Sequence, residues 1–125
     1  MNKPKRRKPP GVLILQNTSE SRRRERKAVE QLIEVKDVML DSDVGRVVNI
    51  HEEGFMLIGD GQIRENCLYQ LALDLAEPVS AVDSLSVGAE CLWMKETDSG
   101  TQYWAGFQII DISDDDRAII TKITD

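Results

Sequence analysis

The sequence predicts a mainly β fold: a six-stranded antiparallel barrel with one amphipathic α-helix at its C-terminal end. Two observations predict the barrel. Apolar and polar side chains alternate in short runs between residues 33 and 110, and clusters of Gly, Asp, Ser or Thr separate most of these runs. A third observation predicts the helix, the change to offsets of one and four at Ile119, Ile120 and Ile123. At 125 residues the chain suits a single domain that buries roughly two-thirds of the surface its unfolded form exposes.

Taken in order, residues 1–10 combine prolines with the run Lys5-Arg6-Arg7-Lys8 and too few apolar groups to offset the entropy of ordering. Residues 1–19 are therefore expected to be a basic, flexible arm, and residues 20–125 the barrel domain. The apolar patch at residues 11–15 fits either an added strand or a docked extended segment. From Thr18 or Ser19, a hydroxyl N-cap and the spacing of Ala28, Val29, Leu32 and Ile33 suit a helix. Alternation then indicates a strand over residues 33–40, a turn at Asp41-Ser42-Asp43-Val44-Gly45 and a returning strand over 46–50.

His51-Glu52-Glu53-Gly54 interrupts that strand before the apolar run 55–58, and Gly59-Asp60-Gly61 turns the chain again. Residues 67–75 form a strand whose buried face carries Cys67, Tyr69, Leu71, Leu73 and Leu75. Residues 77–83 suit a loop, with a strand continuation left open by Val79 and Val82. Strands 84–95 and 102–110 make a hairpin around Thr97-Asp98-Ser99-Gly100, with Trp93 and Trp104 packed on adjacent strands. Ser113 caps the last helix, and Asp114, Asp115 and Asp116 lie at its positive end.

Charge is divided along the chain. Residues 1–27 hold ten Lys or Arg against two Glu, a balance of +8, and residues 28–125 hold six against twenty acidic groups, a balance of −14. Such an acidic body repels a polyanion, so nucleic acid is not the expected partner. The basic segment instead suits a small anion or an acidic protein. No run approaches the ~18 apolar residues of a membrane span, and residues 11–15 are too short for a signal-peptide core, so a cytoplasmic location is expected. Cys67 and Cys91 form no Cys-x-x-Cys pair and lie far from the single histidine, which argues against zinc and for a reducing compartment. Glu52 and Glu53 flank no nucleophile and suit a solvated turn. No catalytic constellation is present, so neither an enzyme nor a cofactor is expected.

Ser21-Arg22-Arg23-Arg24-Glu25-Arg26-Lys27 is by itself either a solvated helix face or an anion site. Farther on come Asn49-Ile50-His51-Glu52-Glu53-Gly54, a Trp-bearing fifth strand, and residues 103–112 followed by an acidic helix start. Together, over roughly residues 20–123, these features resemble the PilZ domain. That family carries the motifs Arg-x-x-x-Arg and Asp/Asn-x-Ser-x-x-Gly on a six-stranded barrel with a C-terminal helix. The resemblance implies a bacterial cyclic-di-GMP receptor that signals to a protein partner by changing its N-terminal arm and surface. Arg22 and Arg26 match the first motif, with Arg23 and Lys27 as the alternative register.

In that reading Arg22, Arg23 and Arg26 take phosphates and guanine edges, which suit the guanidinium fork. Asn49 and His51 meet a guanine edge, and Gly54 admits the ligand. His51 stands where the family has serine. Loss of a needed buried partner costs about 1–3 kcal/mol, whereas an imidazole that donates or stacks replaces it. The alternative function is a barrel of the same type that has lost the nucleotide and serves as a protein-interaction module.

Overall fold

The computed structural model describes residues 27–28 and 31–124. Arg22, Arg23, Arg26 and the boundary at residue 19 lie outside them, as does most of the helix expected before Ile33. The part of that helix that is described is instead a short strand, β1 (Lys27–Ala28). Six longer strands follow: β2 (Ile33–Asp37), β3 (Ser42–His51), β4 (Gly54–Gly59), β5 (Leu68–Val79), β6 (Val82–Glu96) and β7 (Tyr103–Ile112). Helix α1 (Asp114–Thr124) ends the chain. The backbone of β1 pairs with Asn49 and Ile50 of β3, so a long-range ladder overrides local helix propensity.

The pairings are antiparallel in the order β3-β2-β5-β6-β7-β4, and β4 pairs back onto β3, which closes the sheet into a barrel. Period-two patterning sets the inside: Val35, Ile50, Leu57, Leu71, Leu73, Val87 and Ala105 are buried, and Phe55 stacks on Phe107 at 5.2 Å between ring centroids. Ile119 and Ile120 of α1 join the same core. The Asp116 N–H donates to Ser113 Oγ at 3.1 Å, the expected N-cap. The registers place β1, the β3–β4 turn, the β5–β6 turn and α1 toward one end of the barrel, and the β2–β3 turn and the start of β5 toward the other.

Three boundaries differ from expectation. The first strand stops at Asp37, and residues 38–41 form the turn. Asp37 is only 3% exposed, and its Oδ1 accepts from the N–H groups of Met39 (2.9 Å) and Leu40 (3.2 Å). These local bonds outcompete a ladder and leave Val38, Met39 and Leu40 exposed, Met39 at 80%. Ser42, Asp43, Val44 and Gly45, expected in the turn, belong to β3. Between β5 and β6 the open alternative resolves as strand continuation: Val79 pairs with Val82 across Ser80 and Ala81, whose φ values of 50° and 67° make a two-residue left-handed turn.

Tyr103 donates its hydroxyl to Gly61 O at 2.8 Å. Burial pushes its phenol up to about 12, and Cys91, Asp60 and Tyr69 add to the effect. The folded state therefore holds this proton more tightly than the unfolded chain. The contribution is complete below pH 10 and is lost as pH rises through 12. Urea midpoints should accordingly fall between pH 10 and 12, and Tyr103→Phe should flatten that part of the profile.

Candidate functional site

The site is built where β3 leaves its regular ladder. Val47 pairs with Leu57 and Asn49 with Met56, so Val48 is an extra residue that shifts the strand by one. After this bulge Ile50 points into the core, and Asn49 and His51 share the outer face. His51 pairs with Gly54 across the tight turn at Glu52 and Glu53. On the other edge of β3, Lys27 pairs with Ile50 and Ala28 with Asn49, so the residues that immediately follow the arginine cluster run directly beside Asn49.

Asn49 carries an unusual polar atom. Its Oδ1 is buried and accepts no hydrogen bond among the described residues. Buried acceptors are nearly always paired, and an orphan of this kind costs about 1–3 kcal/mol of fold stability.

His51 Nδ1 accepts from the Glu53 N–H at 2.8 Å. A serine hydroxyl makes the same i to i+2 bond in an ST-turn, so the imidazole does for this loop what the family's serine can do. His51→Ser should therefore keep the exchange rate of the Glu53 amide within about twofold, and His51→Ala should raise it about fivefold or more, as read by hydrogen exchange.

Gly54 has a structural reason for its identity. A β-carbon there would lie 2.5 Å from Phe107 O, so glycine lets β4 close against β7. The turn is held firmly: Ile109 N–H donates to Glu53 O at 2.9 Å, Thr121 Oγ1 to Glu52 Oε2 at 2.7 Å, and Arg117 Nη1 to Glu52 O at 3.3 Å. Glu53 is exposed as expected, but Glu52 is partly buried and ties the turn to α1.

The backbone registers align Ala28, Asn49, Met56, Gly106 and Trp93 in one row over β1, β3, β4, β7 and β6, with Met56 buried in its middle. The Trp93 indole lies against the Gly106 α-carbon, where any side chain would collide with it. A flat aromatic surface and an unpaired amide oxygen thus share one row of the barrel. Sequence reasoning assigned Trp93 to packing alone. The signal for its placement was Gly106 on the neighbouring strand, legible only once the register was known.

No family model and no curated protein matches the chain. Solved structures do match. The inhibitor of motility MotI/DgrA from Bacillus subtilis aligns with a TM-score of 0.62 at 10% identity over 79% of this chain and 47% of its own. The PilZ domain of YcgR from Escherichia coli, with c-di-GMP, aligns at 0.59 and 9% identity over 80% of this chain and 86% of its own. The fold is that of a PilZ domain. MrkH from K. pneumonia, in its apo state, aligns at 0.62 and 17% identity over 88% of this chain and 50% of its own. The chain spans about half the length of MotI/DgrA and MrkH.

On this PilZ-type barrel the structure brings Asn49 and His51 together on one face, with Gly54 paired to His51. Arg22, Arg23 and Arg26 lie outside the described residues, but Ala28 of β1, two residues after Arg26 in the sequence, pairs with Asn49. No described helix is long and apolar enough to cross a membrane.

Proposed function

We propose that this protein is a bacterial, cytoplasmic cyclic-di-GMP receptor, a non-enzymatic adaptor with a PilZ-type barrel. The observation that carries the reading is the buried Asn49 Oδ1, unpaired among the described residues, beside the strand that continues the arginine cluster. A guanine edge offers N–H donors to that oxygen. Arg22, Arg23 and Arg26 supply planar forks for the phosphates and for guanine O6 and N7. Trp93 offers a face on which a purine stacks. His51 holds the turn beside the base, and Gly54 keeps β4 close enough to β7 for that turn to form. Ligand phosphates would draw the basic arm, residues 1–19, onto the barrel and alter the surface seen by a protein partner. The presence of c-di-GMP in the YcgR domain supports this choice of ligand.

Titration calorimetry with cyclic-di-GMP should give a dissociation constant near the micromolar range, about −8 kcal/mol, with quenching of tryptophan emission. Arg26→Ala should weaken binding by about 1–3 kcal/mol. Absence of heat at tens of micromolar nucleotide would exclude the reading. It would favour a nucleotide-independent interaction module, for which the exposed Val38, Met39 and Leu40 turn is the supporting feature.

A further inference from the structure

Near the barrel end away from the His51 turn, two cysteines oppose each other across β5 and β6, and the Cys91 thiol donates to Trp93 O at 3.6 Å. The Cys91 N–H donates to Cys67 O at 3.0 Å, and the Asn66 N–H donates to Cys91 O at 2.7 Å. Asn66 has a φ of 64°, so Asn66 and Cys67 together oppose Cys91 in a bulge whose first residue is left-handed. Neighbouring strands lie about 4.8 Å apart, so residues opposed across them fall near the ~4.4–6.8 Å that a disulfide's α-carbons span. Both side chains turn inward. Cys67 continues the series Tyr69, Leu71 and Leu73, and Cys91 continues Val87 and Ala89; the pairs Tyr69 with Ala89 and Leu71 with Val87 join these two faces. Cys67 is partly exposed, within reach of a small oxidant, and Cys91 is fully buried behind it.

We infer that Cys67 and Cys91 are a redox pair that closes to a cross-strand disulfide when the protein meets a peroxide, stapling the start of β5 to β6. The Cys67 thiolate attacks the O–O bond of hydrogen peroxide, which gives a sulfenic acid and hydroxide. The Cys91 thiolate then attacks the Cys67 sulfur, the S–S bond forms, the S–O bond breaks, and the oxygen leaves as hydroxide. The two hydroxides take up the two thiol protons, so two thiols lose two electrons and one peroxide becomes two waters. Burial pushes the Cys91 thiol up to about 11, with Glu65, Cys67 and Glu90 adding to it, and Tyr69 and Tyr103 also face this group. The second step should therefore quicken about tenfold per pH unit from neutrality to pH 9.

The test treats the reduced full-length chain with hydrogen peroxide under native conditions and in urea. The folded protein should lose about two mass units, join the Cys67 and Cys91 peptides, and raise its Tm by about 10 °C, all reversed by dithiothreitol. Closure should be at least about tenfold faster folded than in urea, because the fold holds the two cysteines opposite one another. Cys67→Ser should show neither the mass loss nor the Tm rise. Persistence of both thiols, oxidation of Cys67 to sulfinic acid instead, a disulfide between two chains, or closure no faster than in urea would each overturn the inference.

Discussion

Gly59→Ala is expected to lower the melting temperature by roughly 15–20 °C. Gly59 pairs with Gly45 where β3 and β4 close the barrel. A β-carbon at residue 59 would run into Val44 O, with Gly45 Cα at 2.5 Å and Val44 C at 2.8 Å. These neighbours are backbone atoms, so relief requires parting the two strands. The cost is about 3–5 kcal/mol. Gly88→Ala is the control: its nearest neighbour is Asp111 Cβ at 3.3 Å, a side-chain atom that yields by a few tenths of an ångström. Thermal melts by circular dichroism decide the matter, and equal melting of the two variants would contradict the close approach at the seam.

Asn49→Ala is expected to weaken cyclic-di-GMP binding by about five- to 150-fold, while the melting temperature of the unliganded protein stays level or rises. The opposite signs follow from the buried Oδ1, which costs the empty fold an unmade hydrogen bond and repays it only when a donor arrives. An Asn49→Ala chain that both binds normally and melts lower would mean that the amide serves the fold alone. Paired calorimetry and thermal melts separate the cases.

Much of the barrel is legible in the sequence because its code is local. Alternation at residues 67–75 and 102–110 identifies the strands and their inner faces, and Ser113 followed by three aspartates identifies the start of α1. Expectation failed where a side chain or a distant strand overrode the apolar pattern. Val38, Met39 and Leu40 read as strand by composition, but the buried Asp37 carboxylate holds them in a turn. Lys27 and Ala28 sit in a helix-favouring segment, but β3 offers them a ladder.

The candidate site divides the same way. The resemblance to the PilZ motifs singled out Asn49, His51 and Gly54. The fold gives two of them a structural role: His51 accepts from the Glu53 amide to hold its own turn, and Gly54 is required by Phe107 O. Trp93 joined the site only through its register with Gly106.

By itself, then, the sequence determined six strands, the capped terminal helix and the division of charge, because alternation, capping and charge are properties of neighbours along the chain. Only the tertiary structure decided the burial of Asn49 Oδ1, the row that joins it to Trp93 and the meeting of Cys67 with Cys91. Each of these depends on register between strands distant in sequence, and a slip of one residue would turn every one of those side chains to the other face.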